Sequence, residues 1–334
     1  MKKILVLGGT GAMGVYLVPK LIERGYAVDV ASLDSVESTT PNLRYFTGNC
    51  LDVEYVSELL KNGYDGIVDF MVYDQDKFKE RHKMFLDNTS HYIYLSTYRI
   101  YANEEHPIKE TSPRLLDVSA DKDFLATDDY ALYKAKGEDV LLASDYKNWT
   151  AIRPAITYSK RRFQLVTLEA PNVVKRALNG KKVVLPKEAK TVQATMSWAG
   201  DVAEMIARLL FNDRAYREIF TVSTAEHMTW GEVADIYKNL IGLEAVWVDT
   251  EDFLGILSKH TNNPNAPRYQ LIYDRFFDRM IDNSKILEVT GMKQSEITSL
   301  HDGLKRELAG VTADTFNFGP SSEVMDEYLQ IKGL

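Results

Sequence analysis

Cysteine and histidine are scarce in this chain of 334 residues, which has one cysteine and six histidines. The single thiol, Cys50, cannot form an internal disulfide, which fits a reducing compartment. The histidines are scattered without metal-binding spacing, so no metal site is predicted. The apolar run at residues 4–7 is too short for a signal peptide or a membrane span. We therefore expect a soluble, cytoplasmic protein.

Positive charge is also in deficit, because 40 basic residues face 48 acidic ones and the formal net charge is -8. The overall field of such a protein does not attract nucleic acid, so RNA or DNA binding would need a local basic patch. Residues 160–190 depart from this balance, with nine basic and two acidic residues and hence a local charge of +7. Nucleic acid is therefore an unlikely partner unless this segment binds it.

Apolar strand-like runs alternate along the chain with segments of helical spacing. Strands are predicted at 4–7, 27–31, 44–47, 67–71, 92–95 and 150–152, and helices at 15–24, 53–60 and 130–143. This rhythm is typical of βαβ units, so we predict an α/β fold with a doubly wound parallel sheet of the Rossmann type. The rhythm breaks after about residue 158 and returns in a predicted helix at 200–211 and a predicted strand at 219–222. The break predicts a second, smaller lobe.

The stretch GGTGAMG, residues 8–14, lies between the first predicted strand and an amphipathic helix. A turn at this place brings backbone N–H groups and the positive end of the helix dipole together, where a pyrophosphate can bind. Gly8 would make the tight turn, Gly11 would let the backbone approach phosphate, and Gly14 would let the helix pack on the strand. The context favours dinucleotide binding over a flexible loop. The predicted cofactor contacts here are Gly8, Thr10, Gly11, Ala12, Met13 and Gly14.

Tyr130 and Lys134 are four residues apart, so they lie on one face of the predicted helix. An ammonium beside a phenol stabilises the phenolate and lowers the phenol pKa from about 10, which makes a usable acid and base. The same spacing is common in helices without a site. Here, however, the strand at 92–95 ends in the hydroxyl residues Ser96 and Thr97, which a parallel sheet would bring beside this helix.

Together these motifs resemble the extended short-chain dehydrogenases/reductases of the NAD-dependent epimerase/dehydratase group. The resemblance rests on GGTGAMG, STYRIYA (96–102), YALYK (130–134), AIRPAITY (151–158) and MSWAGDVAEMI (196–206), and extends to about residue 303. It implies an NAD(P)-dependent oxidoreductase or epimerase acting on a secondary alcohol. Thr97 would bind the reacting oxygen, with Ser96 as its substitute, and Tyr130 would be the acid/base. Lys134 would hold the nicotinamide ribose and tune Tyr130, and Pro154 would lie beside the nicotinamide.

Three departures from the family pattern refine this expectation. Dehydratases of the family have an Asp-Glu pair after the Thr, where this chain has Tyr98 and Arg99, so dehydration is not expected. At the end of the second strand Ser32 stands where NAD-specific relatives have Asp, no basic residue follows, and Asp34 could reach the ribose. NAD is therefore slightly favoured over NADP. Near the adenine, Asn49 replaces the usual Asp and Cys50 is its neighbour.

The family resemblance also implies a domain division and a substrate class. Residues 1–158 with about 191–225 would form the NAD(P)-binding domain, and about 159–190 with 226–334 the substrate-binding lobe. The basic segment falls in that lobe, so Arg161, Arg162 and Arg268 are predicted to bind an anionic substrate, with a nucleoside-diphosphate sugar as the hypothesis. A solvated basic surface is the alternative explanation of the charge.

Two questions of function stay open at this stage. No motif separates an epimerase from a simple dehydrogenase. A cofactor-binding regulatory or RNA-binding protein on the same fold, as the similar chloroplast stem-loop RNA-binding proteins suggest, is the alternative to an enzyme. Family members often pair through the helix that carries the Tyr and Lys, so a homodimer is expected.

Overall fold

The computed structural model describes residues 1–127, 129–259 and 265–334. The strands are β1 (Lys3–Leu7), β2 (Ala27–Ser32), β3 (Leu43–Thr47), β4 (Gly66–Asp69), β5 (His91–Leu95), β6 (Trp149–Ile152), β7 (Ile156–Tyr158), β8 (Gln164–Leu165), β9 (Leu168–Glu169), β10 (Val183–Pro186), β11 (Gln193–Ala194), β12 (Met196–Trp198), β13 (Glu218–Phe220), β14 (Met228–Thr229) and β15 (Ala245–Val248).

The helices are α1 (Gly14–Glu23), α2 (Val53–Leu60), α3 (Gln75–Asp87), α4 (Leu115–Val118), α5 (Lys122–Leu125), α6 (Tyr130–Leu142), α7 (Val174–Leu178), α8 (Ala199–Leu209), α9 (Trp230–Ile241), α10 (Thr250–Ser258), α11 (Asn265–Gln270), α12 (Ser284–Thr290), α13 (Leu300–Leu308) and α14 (Ser322–Lys332). Short 3₁₀ segments lie at Tyr98–Ile100, Lys187–Ala189 and Gln294–Glu296, and a π-helical segment lies at Leu271–Arg275.

Seven strands form one sheet in the order β13-β6-β5-β4-β1-β2-β3. Each neighbouring pair of strands in it runs parallel. The chain first extends the sheet from β1 through β2 and β3, and then continues on the other side of β1 from β4 onward. A crevice therefore opens between the carboxyl ends of β1 and β4, where ligands bind in such sheets. The predicted α/β, Rossmann-type sheet is confirmed.

Helices cover both faces of this sheet, and β1 shows how. Ile4 and Val6 face a core formed with α1 and α8, whereas Leu5 and Leu7 face a core formed with α2, α3 and α6. Strands buried on both faces read as continuous apolar runs. This is why the strand-like runs could be recognised in the sequence.

Two strands end earlier than the apolar pattern predicts. β4 stops at Asp69 because the carboxylate accepts a hydrogen bond of 2.9 Å from the backbone N–H of Met71, which turns the chain. β13 ends at Phe220, and the next N–H, of Thr221, donates to the Glu110 carboxylate at 2.8 Å. The N–H of Val222 still donates to the carbonyl oxygen of Arg153, after β6, at 3.2 Å.

A further hydrophobic core lies beside the sheet and includes Phe163, Trp230 and Leu304. Helix α14 belongs to this core, because Met325 is fully buried in it. The buried guanidinium of Arg176 donates to the Ser322 carbonyl oxygen at 2.7 Å. The C-terminal segment, which has no recognisable motif, is thus part of the packed structure.

Helix α6 lies close against the sheet at two consecutive residues. A Cβ added at Gly137 would be 2.1 Å from the hydroxyl oxygen of Tyr94 in β5. The next residue, Glu138, has no exposed surface and accepts from Nε and Nη2 of Arg153 at 2.8 and 2.7 Å. This forked ion pair joins α6 to the residue that follows β6.

We predict that Gly137→Ala lowers the free energy of unfolding by about 1–3 kcal/mol, because the added methyl group overlaps the Tyr94 hydroxyl. Adding Tyr94→Phe should recover part of this loss. The matched control is Gly255→Ala in α10, where a new Cβ meets no atom within 4 Å. That change should raise the free energy of unfolding by about 0.5–1 kcal/mol. Urea unfolding measures the stability of the three variants. A Gly137→Ala protein as stable as the wild type would contradict the close packing of α6 on β5.

Candidate active site

The glycine loop after β1 has the backbone geometry that a phosphate-binding turn needs. Gly8 has a φ of 72°, in the left-handed region that favours glycine. A Cβ at Gly14, the first residue of α1, would lie 2.3 Å from the carbonyl oxygen of Gly9. The close contact of Gly14 is thus with the loop itself, whereas the sequence predicted contact with a strand. The crowded backbone fits a loop that carries a ligand against its main chain.

Thr97 and Tyr130 line one cavity of about 330 Å³. Met13 of the glycine loop and Pro154 after β6 line the same cavity. Residues from four separate parts of the sequence therefore meet here, at the carboxyl edge of the sheet. Ser96 does not line the cavity; it is fully buried, and its hydroxyl has no hydrogen-bond partner among the described residues.

Lys134 lies one turn after Tyr130 in α6 and has no exposed surface. Its ammonium donates to the carbonyl oxygen of Leu95 and, at 3.3 Å, to that of Met71, and lies 5.9 Å from the centre of the Tyr130 ring. Burial lowers the pKa of Lys134 to about 8, although the nearby carboxylates of Asp69 and Glu138 raise it in part. The sequence predicts that Lys134 contacts a ribose and tunes Tyr130. In the structure its hydrogen bonds go to two backbone carbonyls.

The charges that act on Tyr130 come mainly from arginine. Burial raises the pKa of Tyr130, whereas the positive charges of Arg99 and Arg162 and a hydrogen bond with Thr97 lower it. The Arg99 guanidinium carbon lies 5.4 Å from the centre of the Tyr130 ring. Sequence reasoning treated Arg99 only as a departure from the dehydratase pattern. The sequence feature that could have indicated a role for Arg99 at the site is its position directly after Thr97 and Tyr98.

Arg99 belongs to a buried charge cluster around Asp274. The Asp274 carboxylate has no exposed surface and lies 3.4 Å from Nε of Arg99. Arg275 and Arg279 are ion-paired with the same carboxylate. Arg275 also donates to the Tyr98 hydroxyl at 2.8 Å and lines the cavity with Tyr130. Sequence reasoning missed these residues, because nothing in their local pattern points to a site.

A larger cavity of about 750 Å³ adjoins the first one. The two cavities share Arg99, Tyr130 and Gln270 in their linings. The larger one extends along α11 and the start of α6. The small cavity at Tyr130 therefore continues into a wider cleft.

The structure separates the two neighbouring arginines that the sequence assigned to substrate. Arg162 lines the cavity with Tyr130, whereas Arg161 donates to the carbonyl oxygen of Thr10 in the glycine loop at 3.2 Å. Arg161, Thr10 and Asp34 line a different cavity of about 490 Å³. Asp34 is exposed there, and its N–H donates to the buried Ser32 hydroxyl at 3.2 Å. Arg161 is thus placed beside the predicted cofactor loop.

The two residues predicted near the adenine differ in exposure. Asn49 is exposed, and its side-chain oxygen accepts from the N–H of Leu51 at 3.0 Å. Cys50 is 2% exposed, and burial raises the pKa of its thiol to about 11. The neighbouring backbone N–H of Gly8 partly offsets this rise. Cys50 therefore lies directly behind the glycine loop as an unreactive thiol.

The basic segment 160–190 is spread over several contacts. Lys181 and Arg176 pair with Asp326 in α14, and Lys187 pairs with Asp249. Arg268, predicted to bind substrate from α11, is instead paired with the exposed carboxylate of Glu251 at 2.7 Å and does not line the cavity with Tyr130. Several of the basic side chains of this segment are thus paired with carboxylates of the same chain.

Within residues 1–127, 129–259 and 265–334, no group of three His, Cys, Asp or Glu side chains is arranged to hold a metal ion. The helices of these ranges include none with the length and apolar character needed to cross a membrane.

Comparison with curated proteins gives two relatives, and no protein-family model matches the chain. The chloroplast stem-loop binding protein of 41 kDa b from Arabidopsis thaliana is 24% identical over 249 residues, covering 70% of this chain and 61% of the relative. UDP-glucose 4-epimerase from Streptococcus mutans is 29% identical over 136 residues, covering 33% of this chain and 40% of the relative. Each match spans less than two thirds of the relative's length.

Solved structures match the chain over nearly its whole length. UDP-glucose 4-epimerase from Thermus thermophilus in complex with NAD has a TM-score of 0.66, 18% identity and coverage of 93% of this chain and 100% of its own. UDP-glucuronic acid 4-epimerase from Bacillus cereus, in complex with UDP-glucuronic acid and NAD, has a TM-score of 0.67 and 14% identity, and the match covers 92% of this chain and 98% of its own. dTDP-glucose 4,6-dehydratase from Bacillus anthracis in complex with NAD has a TM-score of 0.68 and 17% identity, with coverage of 92% of this chain and 96% of its own. The chain shares the fold of these solved structures, as the resemblance in the sequence predicts.

We predict that burial of Lys134 makes stability depend on pH between about pH 8 and 10.5. In this window the unfolded chain, with an ordinary lysine pKa of about 10.4, binds more protons than the native protein, in which the pKa is about 8. The free energy of unfolding of the wild type, relative to Lys134→Met, should therefore rise with pH by about 1–3 kcal/mol.

Urea unfolding at several pH values across this window measures the difference. Lys136→Met, in the same helix but partly exposed, is the control and should leave the pH dependence of stability unchanged. If the free energy of unfolding of the wild type, relative to Lys134→Met, fell with rising pH, the lowered pKa of a buried Lys134 would be contradicted.

Proposed function

We propose that the protein is an NAD(P)-dependent oxidoreductase or epimerase acting on a secondary alcohol of a nucleotide-sugar substrate. The observation that carries this proposal is the cavity that Thr97 and Tyr130 share with Met13 of the glycine loop and with Pro154. The proposed acid/base and the proposed cofactor-binding loop would meet there, at the switch point of the sheet. This juxtaposition is what a redox reaction with a nicotinamide needs.

The glycine loop would hold the pyrophosphate, through Gly8, Thr10, Gly11, Ala12, Met13 and Gly14. Ser32, Asp34, Asn49 and Cys50 would surround the adenosine, and Pro154 the nicotinamide. When bound, the nicotinamide supplies a hydride acceptor and donor. The absence of a basic residue after Ser32 favours NAD over NADP, and the solved relatives named above were crystallised with NAD.

Tyr130 would remove the hydroxyl proton when the alcohol is oxidised and return it when the ketone is reduced. Thr97 would donate a hydrogen bond to the reacting oxygen, and Arg99 favours the phenolate because its charge lies near the ring. Lys134 has no exposed surface, so contact with the ribose would require its ammonium to become exposed. We therefore assign Lys134 a positioning role for α6 and the ends of β4 and β5.

Dehydration does not fit the residues after Thr97. The Tyr98 hydroxyl is buried and bound to Arg275, and Arg99 is a cation. Neither supplies the carboxylate pair that expels water in dehydratases of this fold. The fold alone does not decide, since a solved dehydratase matches it as well as the epimerases do. We propose epimerisation or simple oxidation and reduction as the reaction. We further propose that the protein is a cytoplasmic homodimer and that its substrate lobe has the bounds predicted from the sequence.

An RNA-binding or regulatory protein is the second candidate. It is favoured by the stem-loop binding relative, whose match covers 70% of this chain. The net charge of -8 and the internal pairing of much of the basic segment oppose it. Thr97 and Tyr130 share a cavity with Met13 of the glycine loop, which a purely RNA-binding role would not require.

We predict that Tyr130→Phe lowers the turnover number for nucleotide sugars by about 10²–10⁴-fold, the usual contribution of a positioned acid/base. Dinucleotide affinity should change little. Tyr146→Phe removes the same hydroxyl from a partly exposed residue bound to Asp87, and should keep the wild-type rate. NMR of product formation and calorimetric titration with NADH measure both properties. Tyr130→Phe turnover close to the wild-type rate would contradict the proposed function.

A further inference from the structure

The cavity at Tyr130 is lined by three guanidinium groups, those of Arg99, Arg162 and Arg275. No aspartate or glutamate is among the described residues that line it. The cavity therefore has a positive wall at the place where the reacting carbon would lie.

Two of these arginines have hydrogen-bonding capacity to spare. Arg99 reaches Asp129 only at 3.5 Å and Asp274 only at 3.4 Å, and its Nε has no hydrogen-bond partner among the described residues. The contact between Arg162 and Glu169 is also 3.4 Å. A guanidinium has five N–H donors, so most of those on Arg99 and Arg162 have no partner among the residues that the structure describes.

The structural arginines of the chain look different. Arg153 makes four hydrogen bonds of 2.7–2.9 Å, to Glu138, Tyr101 and Glu110. Arg176 makes five hydrogen bonds of 2.6–2.9 Å, to Lys182, Ser322 and Asp326. Arg275, the third arginine at the cavity, resembles them, with bonds of 2.7 and 2.8 Å to the Val166 carbonyl oxygen and the Tyr98 hydroxyl. Arg99 and Arg162 therefore differ from these three in having only long side-chain contacts.

The nearest carboxylate cannot neutralise Arg99. Asp274 is shared by Arg99, Arg275 and Arg279, and Asp129 lies 3.5 Å from Arg99, so two carboxylates face three guanidinium groups. Excess buried charge is costly unless a counter-ion compensates it. An anionic ligand at the cavity would supply that charge.

Gln164 adds a buried acceptor to the same wall. It lines the cavity, is 1% exposed, and its Oε1 has no hydrogen-bond partner among the described residues, while Nε2 is held by Glu169. A hydroxyl donor from a ligand would satisfy this oxygen. The cavity volume of about 330 Å³ is at the lower end of ligand pockets. It suits a single sugar ring, with the nucleotide lying outside it.

We propose that the sugar ring of the substrate carries a carboxylate, and that Arg99 and Arg162 bind it beside Tyr130. The substrate class is then a nucleotide-linked uronic acid. The charge recognised here is on the reacting ring and is separate from the diphosphate. This inference rests on the proposed function and refines it.

Paired ligands test the inference with the NAD-saturated protein. UDP-glucuronate and UDP-glucose differ only by a carboxylate in place of a hydroxymethyl group, and GDP-mannuronate and GDP-mannose form a second pair with another nucleotide. We expect the acidic member of at least one pair to bind about 10- to 100-fold more tightly in calorimetric titration, as charge-assisted hydrogen bonds allow.

Arg99→Gln and Arg162→Gln should each remove most of this preference while changing the affinity for the neutral sugar little. Arg162 is partly exposed, so its variant keeps the test valid if Arg99→Gln disturbs the Asp274 cluster. Arg214→Gln is the matched control, because Arg214 is exposed and paired with Glu288 outside both cavities. It should keep the full preference for the acidic sugar.

The outcomes separate the two claims. Equal affinity within both pairs, or tighter binding of the neutral sugars, would overturn the carboxylate inference and leave the proposed function intact. A preference that survives in both variants would overturn the assignment to Arg99 and Arg162. Failure of all four nucleotide sugars to bind would overturn the nucleotide-sugar function itself, and the inference with it.

Discussion

The close seating of α6 on the sheet is the constraint on which the candidate site depends. Gly137 lets the helix approach the Tyr94 hydroxyl, and the buried pair of Glu138 with Arg153 fixes the helix to the end of β6. Tyr130 is seven residues before Gly137, about two helical turns away. A shift of α6 would therefore move Tyr130 away from Thr97 and Pro154, which belong to the sheet edge.

This packing also places charge in the interior. Lys134 lies in the same helix and is buried against backbone carbonyl oxygens. Its charged form is less favourable there than in water, because burial removes the hydration of the ammonium. Arg99, in the 3₁₀ segment that follows β5, lines the cavity and provides positive charge near the Tyr130 ring. Two tasks are thus divided between the lysine and the arginines. Lys134 ties α6 to the sheet, and Arg99 with Arg162 gives the cavity its charge.

The sequence predicted the parts of the site that depend on local pattern. The loop after β1 and the Tyr130 helix could be recognised because strand, turn and helix signals are contiguous in the chain. The cluster of Asp274 with Arg275 could not, since those residues are brought to Tyr98 and Arg99 by contacts across more than 170 positions. Likewise, nothing in the adjacent pair Arg161 and Arg162 shows that one faces the glycine loop and the other Tyr130. Such a division is set by the turn at Ser159, where the chain pairs with itself.

The central claim, that the crevice at β1 and β4 binds a nicotinamide dinucleotide beside Tyr130, is tested most directly by identifying the small molecule bound to the purified protein. Denaturation followed by mass spectrometry detects a retained cofactor, and titration with NADH and NADPH detects one that exchanges. We expect either recovered NAD or NADH, or saturable binding of one dinucleotide by an empty protein. A protein that releases no dinucleotide and binds neither would contradict the account.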